Sequence, residues 1–332
     1  MRLRYVTDDV PGFTRKKGLF AFVYVDQHGK RIRDKELLAR LRAIGVPPAY
    51  TDVWFCPLAN GHLQATARDT RRRKQYFYHT EWVVQRDENK FHRMRAFADA
   101  LSPIRRKIAQ DLARPGIAKE KILATIVKLL DVTFARIGNE EYVKDNDSFG
   151  LTTLQHRHVY GSGSKMRLIF KGKSGVVHKV AVADARLQKI VAACQDMPGH
   201  LLFEYLDNEH KPHGVTSDQV NEYLQTISHE DITAKDFRTW HGSVIAAEYL
   251  WHCAATDKPS EVRKNIKAAI KQAAAALGNT ASVCKQSYIH PEILTQYQKG
   301  IFAWRSPSES LRKQFPQLRV HEIALVKLLE TC

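Results

Sequence analysis

The hydrophobic pattern changes from strand-like to long helical stretches at about Asp87, and that change limits what the chain can fold into. Upstream, GLFAFVYVD (18–26), VWFCPL (53–58) and HLQATA (62–67) carry the aromatic and β-branched residues of strands, punctuated by turn signals at Gly29 and at Asn60-Gly61. One segment among them, DKELLARLRAIG (34–45), has helical spacing and a glycine stop. Downstream, FHRMRAFADALSPIRRKIAQDLA and AKEKILATIVKLLDVTFARIG are long helical stretches. In the second, Ile122, Ile126, Leu129, Leu130, Val132 and Phe134 line a candidate buried face. Charged VVQRDENK (83–90) between the two regimes is the candidate boundary, a short linker between two lobes.

The expected class is therefore α+β: a small β-rich domain over residues 1–85 and a larger, mainly α-helical domain over 90–332. The helical lobe carries one β insertion, where MRLIF (166–170) and VVHKVAV (176–182) flank KGKSG as a hairpin with lysines at its tip. Helices resume at VTSDQVNEYLQTI, where Thr216 and Gln219 suit a capping box, and again after Thr233. SEVRKNIKAAIKQAAAALG stops at Gly278, and NTASVCKQSYIHP gives a short helix that Pro291 ends or resets. The stretch from Trp304 to Cys332 has a helical pattern and no assigned role.

Composition narrows the function. At 332 residues the chain suits two or three domains, and 44% hydrophobic with 26% charged residues argues against a largely disordered chain. No apolar run reaches the roughly 18 residues of a membrane span, and the start, MRLRYVTDDV, lacks a signal peptide's apolar stretch, so a soluble, cytoplasmic protein is expected. Cys56, Cys194, Cys253, Cys284 and Cys332 form no CxxC pair and read as reduced core or surface thiols. The 52 Lys+Arg against 35 Asp+Glu leave +17, with a sequence pI near 9.7, which points to a polyanionic partner, nucleic acid above all.

Several motifs have plain readings. Gly172-Lys173-Ser174 resembles the tail of a P-loop, but Arg167 stands where its first glycine belongs and the segment is a hairpin. His156 with His158, and His252 with Cys253, lack partners at metal-ligand spacing and read as surface or groove residues; no clustered carboxylates mark a two-metal site. RDTRRRKQYFYH (68–79) interleaves Arg68, Arg71, Arg72, Arg73 and Lys74 with Tyr76 and Tyr78. In a strand the two tyrosines share one face, with Gln75 and Phe77 on the other. The segment reads as a solvated basic loop running into an ordinary strand or, with the charge balance favouring it, as a nucleic-acid surface, its cations on phosphates and its Gln and Tyr at base edges or sugars. Arg136, near the end of an apolar helix, and Arg238, beside Phe237 and Trp240, are each explicable alone as structural cations.

Taken in order, these segments resemble the type IB DNA topoisomerases of the small, poxvirus-like class found also in bacteria. The matching string is ARIGNEEY with Arg136, then DSFGLTTLQHRHV, FKGKSG with Lys173, KDFRTW with Arg238, and LGNTASVCKQSYIHP with Tyr288; ATARDTRRRKQYFY resembles that family's DNA-clamping strand. The resemblance implies a tyrosine recombinase/topoisomerase IB-like helical catalytic domain. It implies that Tyr288 attacks a DNA phosphodiester to give a 3′-phosphotyrosine and a free 5′-hydroxyl. Arg136 and Arg238 would hold the non-bridging oxygens, and Lys173 would protonate the leaving oxygen. The family's fourth phosphate contact, histidine in the poxvirus enzymes, falls on Asn279, which donates a hydrogen bond but carries no charge. Ala67 and Arg72 stand where the bacterial pattern often has glycine. Arg68, Lys74, Gln75, Tyr76 and Tyr78 would contact DNA. No ATP, metal or other cofactor is implied. The partner is double-stranded DNA, encircled by a monomer, and the bacterial class implies a nucleoid-associated protein.

Two rivals differ in class. A tyrosine recombinase or integrase shares the Arg, Lys, Arg, Tyr set but usually has histidine three residues before the second arginine, where this chain has Lys235. A non-catalytic DNA-binding protein would not need competent residues at all five positions.

Overall fold

The computed structural model describes residues 2–18, 21–140, 143, 147–207, 209, 211–254, 256–302 and 306–330, without the side chains of 86–90, 92 and 174. Cys332, Trp304 and the Glu141-Tyr142 end of ARIGNEEY lie outside them. The architecture is mixed, with helices and small antiparallel sheets, and the chain divides into two compact units, Met1–Lys90 and Phe91–Cys332.

In the first unit five strands form one antiparallel sheet: β1 (Phe13–Lys17), β2 (Phe22–Val25), β3 (Thr51–Phe55), β4 (Leu63–Arg68) and β5 (Lys74–Tyr78), in the order β2-β1-β3-β4-β5. Helix α1 (Lys35–Ala43) is capped by Asp34, whose carboxylate accepts from the N–H groups of Glu36 and Leu37. Leu41 of α1 joins Phe55, Ala65 and Ala67 in the core of this unit. Strand β1, FTRKK, went unread in the sequence because its three basic residues carry no apolar alternation.

The segment 83–90, expected as a linker, is helical: it lies inside α2 (Thr80–Leu112), and the division between units falls within that helix. Glu, Gln, Arg and Lys are good helix formers, and polarity alone does not separate a solvated helix from a linker.

In the second unit the core gathers Phe97, Ile104 and Ile108 of α2, Ile122, Ile126 and Leu129 of α3 (Lys119–Thr133), and Phe237 and Trp240 of α6 below. Val132, expected on the buried face of α3, is exposed; it lies about 200° round the helix from Leu130 at 3.6 residues per turn. The helix stops before Phe134. The hairpin forms as expected from β7 (Arg167–Lys171) and β8 (Val177–Ala181), with β6 (Val159–Tyr160) as a third strand; β9 (Glu204–Leu206) pairs with β10 (Pro212–Gly214). The remaining helices are α4 (Ala185–Gln195), α5 (Ser217–Ser228), α6 (Ala234–Trp251), α7 (Pro259–Leu277), α8 (Ala281–Tyr288), α9 (Pro291–Gln298), α10 (Glu309–Gln314) and α11 (Val320–Leu329). Thr216 and Gln219 make the expected capping box on α5, and Gly278 ends α7 in the left-handed conformation at φ +60°. Pro291 opens α9 at its first turn.

His158, expected at a surface or groove, is buried against Phe149, and its Nδ1 accepts from the Gln155 N–H at 3.0 Å. Cys56, Cys194 and Cys284 are buried free thiols and Cys253 is half-buried. Among the described residues no helix is long and apolar enough to cross a membrane.

Candidate active site

The site begins where α3 ends. Phe134 takes a left-handed conformation at φ +59°, and its N–H closes the helix on the Leu130 carbonyl. A side chain at such a position is uncommon, and its ring is held against His241 at 4.6 Å. Arg136, two residues on, therefore leaves the helix on a short loop. That loop lies on the 150–153 turn: the N–H of Leu151 donates to the Arg136 carbonyl at 2.9 Å and that of Thr152 to Ile137 at 2.7 Å. A Cβ on Gly150 would stand 2.4 Å from the Gly138 nitrogen, so the backbones meet only because both residues are glycine. The ARIG and FGLTT motifs are thus two halves of one mount.

Arg238 rises from α6 and is 3% exposed. Its Nη1 donates to the Phe134 carbonyl and its Nη2 to the Leu277 carbonyl at 2.8 Å, the C-terminal end of α7, where the helix dipole favours a cation. Gly278 then turns the chain to Asn279, whose Oδ1 accepts from Arg136 Nη2. Thr280 caps α8, and α8 delivers Tyr288 as its last residue. Opposite Tyr288, Gly242 of α6 has no room for a side chain: a Cβ there would lie 2.6 Å from the Tyr288 carbonyl oxygen and 3.0 Å from its Cβ. Ser243 Oγ donates to the same carbonyl at 3.3 Å and accepts from the His290 N–H at 2.9 Å. The Arg238 guanidinium carbon stands 5.0 Å from the centre of the Tyr288 ring.

Lys173 heads the turn between β7 and β8. With Arg136, Phe149, Lys235, Arg238 and Tyr288 it lines one cleft of about 410 Å³. Asn279 joins them through Arg136. The five residues singled out by the ordered motifs therefore meet in one place. Three buried nitrogens there, Arg136 Nη1, Arg238 Nε and Asn279 Nδ2, have no hydrogen-bond partner among the described residues. Buried donors are rarely left this way, and an anion with several oxygens would satisfy all three.

Electrostatics agree. Burial works against ionisation of Tyr288, but the charge and hydrogen bonding of Arg238, with the charges of Arg136 and Lys235, outweigh it and hold the phenol below its ordinary value. Burial, with the charge of Arg238, lowers Arg136 from the usual guanidinium value. Lys235 and Gly242 were legible in principle, one turn either side of Arg238 on α6. His178, held below the ordinary imidazole value by burial and the charges of Arg136 and Arg238, was not singled out by any motif.

Of the expected DNA contacts, Tyr76 and Tyr78 stack at 6.2 Å on the open face of β5, 51% and 37% exposed. Lys74 shares that face, 5.4 Å from the Tyr76 ring, and pairs with Asp8 at 2.7 Å. Gln75 lies on the other face and donates to Asp69 at 3.1 Å. Arg68 donates to the Arg72 carbonyl at 2.8 Å and lies 3.8 Å from Asp52. Among the described residues, only Asp131, His241 and Glu322 bring three possible metal ligands together, and Arg105 already bridges both carboxylates.

Residues 71–315 match the family model for the catalytic core of eukaryotic DNA topoisomerase I, and residues 21–69 match that for the N-terminal domain of bacterial DNA topoisomerase IB. The chain is 27% identical to the DNA topoisomerase 1B of Acanthamoeba polyphaga mimivirus over 288 residues, 85% of each protein. It is 26% identical to that of vaccinia virus, strain Copenhagen, over 264 residues, 76% of this chain and 80% of the viral one. A shorter likeness, 27% over 171 residues, reaches DNA topoisomerase 1 of Schizosaccharomyces pombe and covers 50% of this chain and 20% of the yeast protein. With a cationic cleft built around one phenol, and a catalytic-core match running through every residue of that cleft, the chain belongs to the type IB DNA topoisomerases.

Proposed function

We propose that Tyr288, Arg136, Lys173, Arg238 and Asn279 carry out the reaction of this family. The chain is an isomerase that relaxes supercoiled DNA by transient single-strand cleavage and religation, through a phosphotyrosine and without ATP or metal. The observation that carries the assignment is the set of three orphaned buried donors around one phenol.

A free phenol has a pKa of about 10, so only roughly one in a thousand is ionised at pH 7. Tyr288 Oη gives up its proton to bulk water as it bonds to the scissile phosphorus, and the reverse step takes one back. Arg136, Arg238 and Asn279 donate to the non-bridging oxygens as their charge grows; one such donor is worth about 3–4 kcal/mol. The bond from phosphorus to the 5′ oxygen breaks, Lys173 supplies a proton to that oxygen, and the 3′ phosphate remains on Tyr288. Rotation of the free end releases supercoils. The 5′-hydroxyl then attacks the phosphotyrosine and restores both starting groups. An ester is exchanged for an ester, so no external energy source enters.

On this reading residues 1–85 clamp the duplex through Lys74, Tyr76 and Tyr78, and a monomer encircles it. A purely DNA-binding role would satisfy the same donors with a phosphate but leaves unexplained why the cations surround a phenol and favour its ionised form. Supercoiled plasmid incubated without ATP or magnesium should relax, and quenching should trap a protein–DNA adduct absent from Tyr288→Phe. Failure of the wild type to form the adduct would sink the assignment, and an adduct persisting in Tyr288→Phe would move it to another nucleophile.

A further inference from the structure

The imidazole of His178 lies between two glycines that each precede a residue of the proposed site. A Cβ on Gly172, the neighbour of Lys173, would stand 2.6 Å from His178 Cδ2 and 2.7 Å from Nε2. A Cβ on Gly278, the neighbour of Asn279, would stand 2.6 Å from His178 Cε1. Gly278 is glycine for its backbone as well, at φ +60°. Gly172 is not: φ −93° and ψ −167° suit any residue, so only the ring beside it demands the missing side chain. On its own hairpin His178 pairs across the ladder with Phe170, and the two rings stack at 5.2 Å.

We propose that His178 is a positioning residue for cleavage: its ring keys the tip of the β7–β8 hairpin against the Gly278–Asn279 corner and so fixes where Lys173 delivers its proton. The proposal rests on Lys173 being the general acid. The 172–176 turn closes on itself, the Gly175 N–H on the Gly172 carbonyl at 3.1 Å and the Gly172 N–H on the Val176 carbonyl at 2.8 Å, so a ring wedged at Gly172 sets the place of Lys173 with it; Asn279 is also held by Arg136 and by the end of α7. A neutral ring suits the place. Burial and the two nearby guanidiniums disfavour the imidazolium, which would repel Arg136 and Arg238. Misplacing a reacting group by about 1 Å costs on the order of 100-fold in rate, which sets the scale for losing the wedge.

Single-turnover cleavage tests this on two duplexes, one with the natural oxygen and one with sulfur at the bridging 5′ position, whose thiolate leaves without a proton. Lys173→Ala should be slow on oxygen and restored on sulfur; if sulfur fails to restore it, Lys173 is not the acid and the proposal falls with that reading. With Lys173→Ala restored, His178→Ala should also be about 100-fold slow on oxygen and near wild type on sulfur, and should add nothing in the Lys173→Ala background. Equal slowing on both duplexes, or none, overturns the role of His178 while leaving Lys173 in place. Should His178→Ala not fold, Gly172→Ala reads the same contact. Its methyl displaces the ring without straining the backbone, and it should show the same oxygen-selective loss; a wild-type rate on oxygen overturns the proposal.

Discussion

At the scale of single residues, the chemistry depends on how cheaply Tyr288 can carry negative charge. Burial opposes the phenolate; Arg238, Arg136 and Lys235 favour it and prevail. Arg238 and Arg136 also hold the phosphate in the proposed reaction, so Lys235 is the cation whose removal isolates this effect. The rate of single-turnover cleavage should rise with pH as the phenol ionises. Lys235→Gln removes a charge that lowers the phenol's pKa, so its profile should be displaced to higher pH, with the deficit shrinking in alkali; a parallel loss at every pH would contradict this. Gly242→Ala tests position rather than charge. Its methyl would meet the Tyr288 carbonyl at 2.6 Å, and cleavage should fall on the order of 100-fold while duplex binding stays near wild type. The residues that bear the proposed chemistry were legible because their types recur in ordered motifs. His178 was not, since it matters through contacts with Gly172 across its own hairpin and with the distant Gly278, and it carries no local pattern of its own; the helical spacing of Gly242 from Arg238 gave its place but not its contact with Tyr288.

At the scale of elements, two helices that carry the site, α3 and α6, are tied to α2 and α11 by one buried ion network. Arg105 of α2 binds Asp131 of α3 at 2.9 Å and Glu322 of α11 at 2.7 Å; His241 of α6 binds Asp131 at 2.9 Å, and Trp240 donates to Glu322 at 3.2 Å. This gives the C-terminal stretch, unassigned from its sequence, an anchor one turn of α6 from Arg238. Arg105→Ala takes from two buried carboxylates the cation they share and should cost about 3–5 kcal/mol in denaturant unfolding. Burial alone would raise Asp131, but His241 and Arg105 override it and hold the carboxyl well below its usual range; Glu322 is lowered likewise, chiefly by Arg105. Both groups therefore stabilise the fold above their unfolded values of about 4, and that stability is lost as the pH falls further. Melting temperature should drop below about pH 4 in the wild type and drop less steeply in Arg105→Ala, whose carboxylates no longer have that cation to lose. The hairpin, the capping box on α5 and the glycine end of α7 were readable because local chemistry fixes them. The end of α3 was not, because Phe134 holds its left-handed conformation through packing on His241 rather than through any helix-stop residue. Polarity likewise misled at 83–90, where the sequence composition of a linker and of a solvated helix coincide.

At the scale of the whole molecule, a surplus of +17 makes attraction to DNA a matter of counterion release, with log affinity falling against log salt by about 0.9 for each phosphate neutralised. Not every basic residue is available for that. On the open face of β5, Lys74 spends its charge on Asp8, whose other partner is Thr66 at 2.8 Å, and the pair raises the lysine and lowers the acid. If Lys74 is a phosphate contact, Asp8 competes with the phosphate for it. Asp8→Asn keeps the shape and the hydrogen bond from Thr66 but removes the competing charge. DNA binding should then tighten at low salt, and the slope of log affinity against log salt should steepen by up to about 0.9. Lys74→Ala should abolish that gain, and Tyr76→Ala should weaken binding at all salt concentrations, because stacking and packing on sugars do not release ions. Thermal stability separates these effects from damage to the sheet: Tyr76 is half exposed, so its loss should barely move the melting temperature. An unchanged salt slope in Asp8→Asn would mean that Lys74 faces no phosphate in the complex, and that the clamp reads the duplex through the stacked tyrosines and the arginines of the 68–73 turn alone.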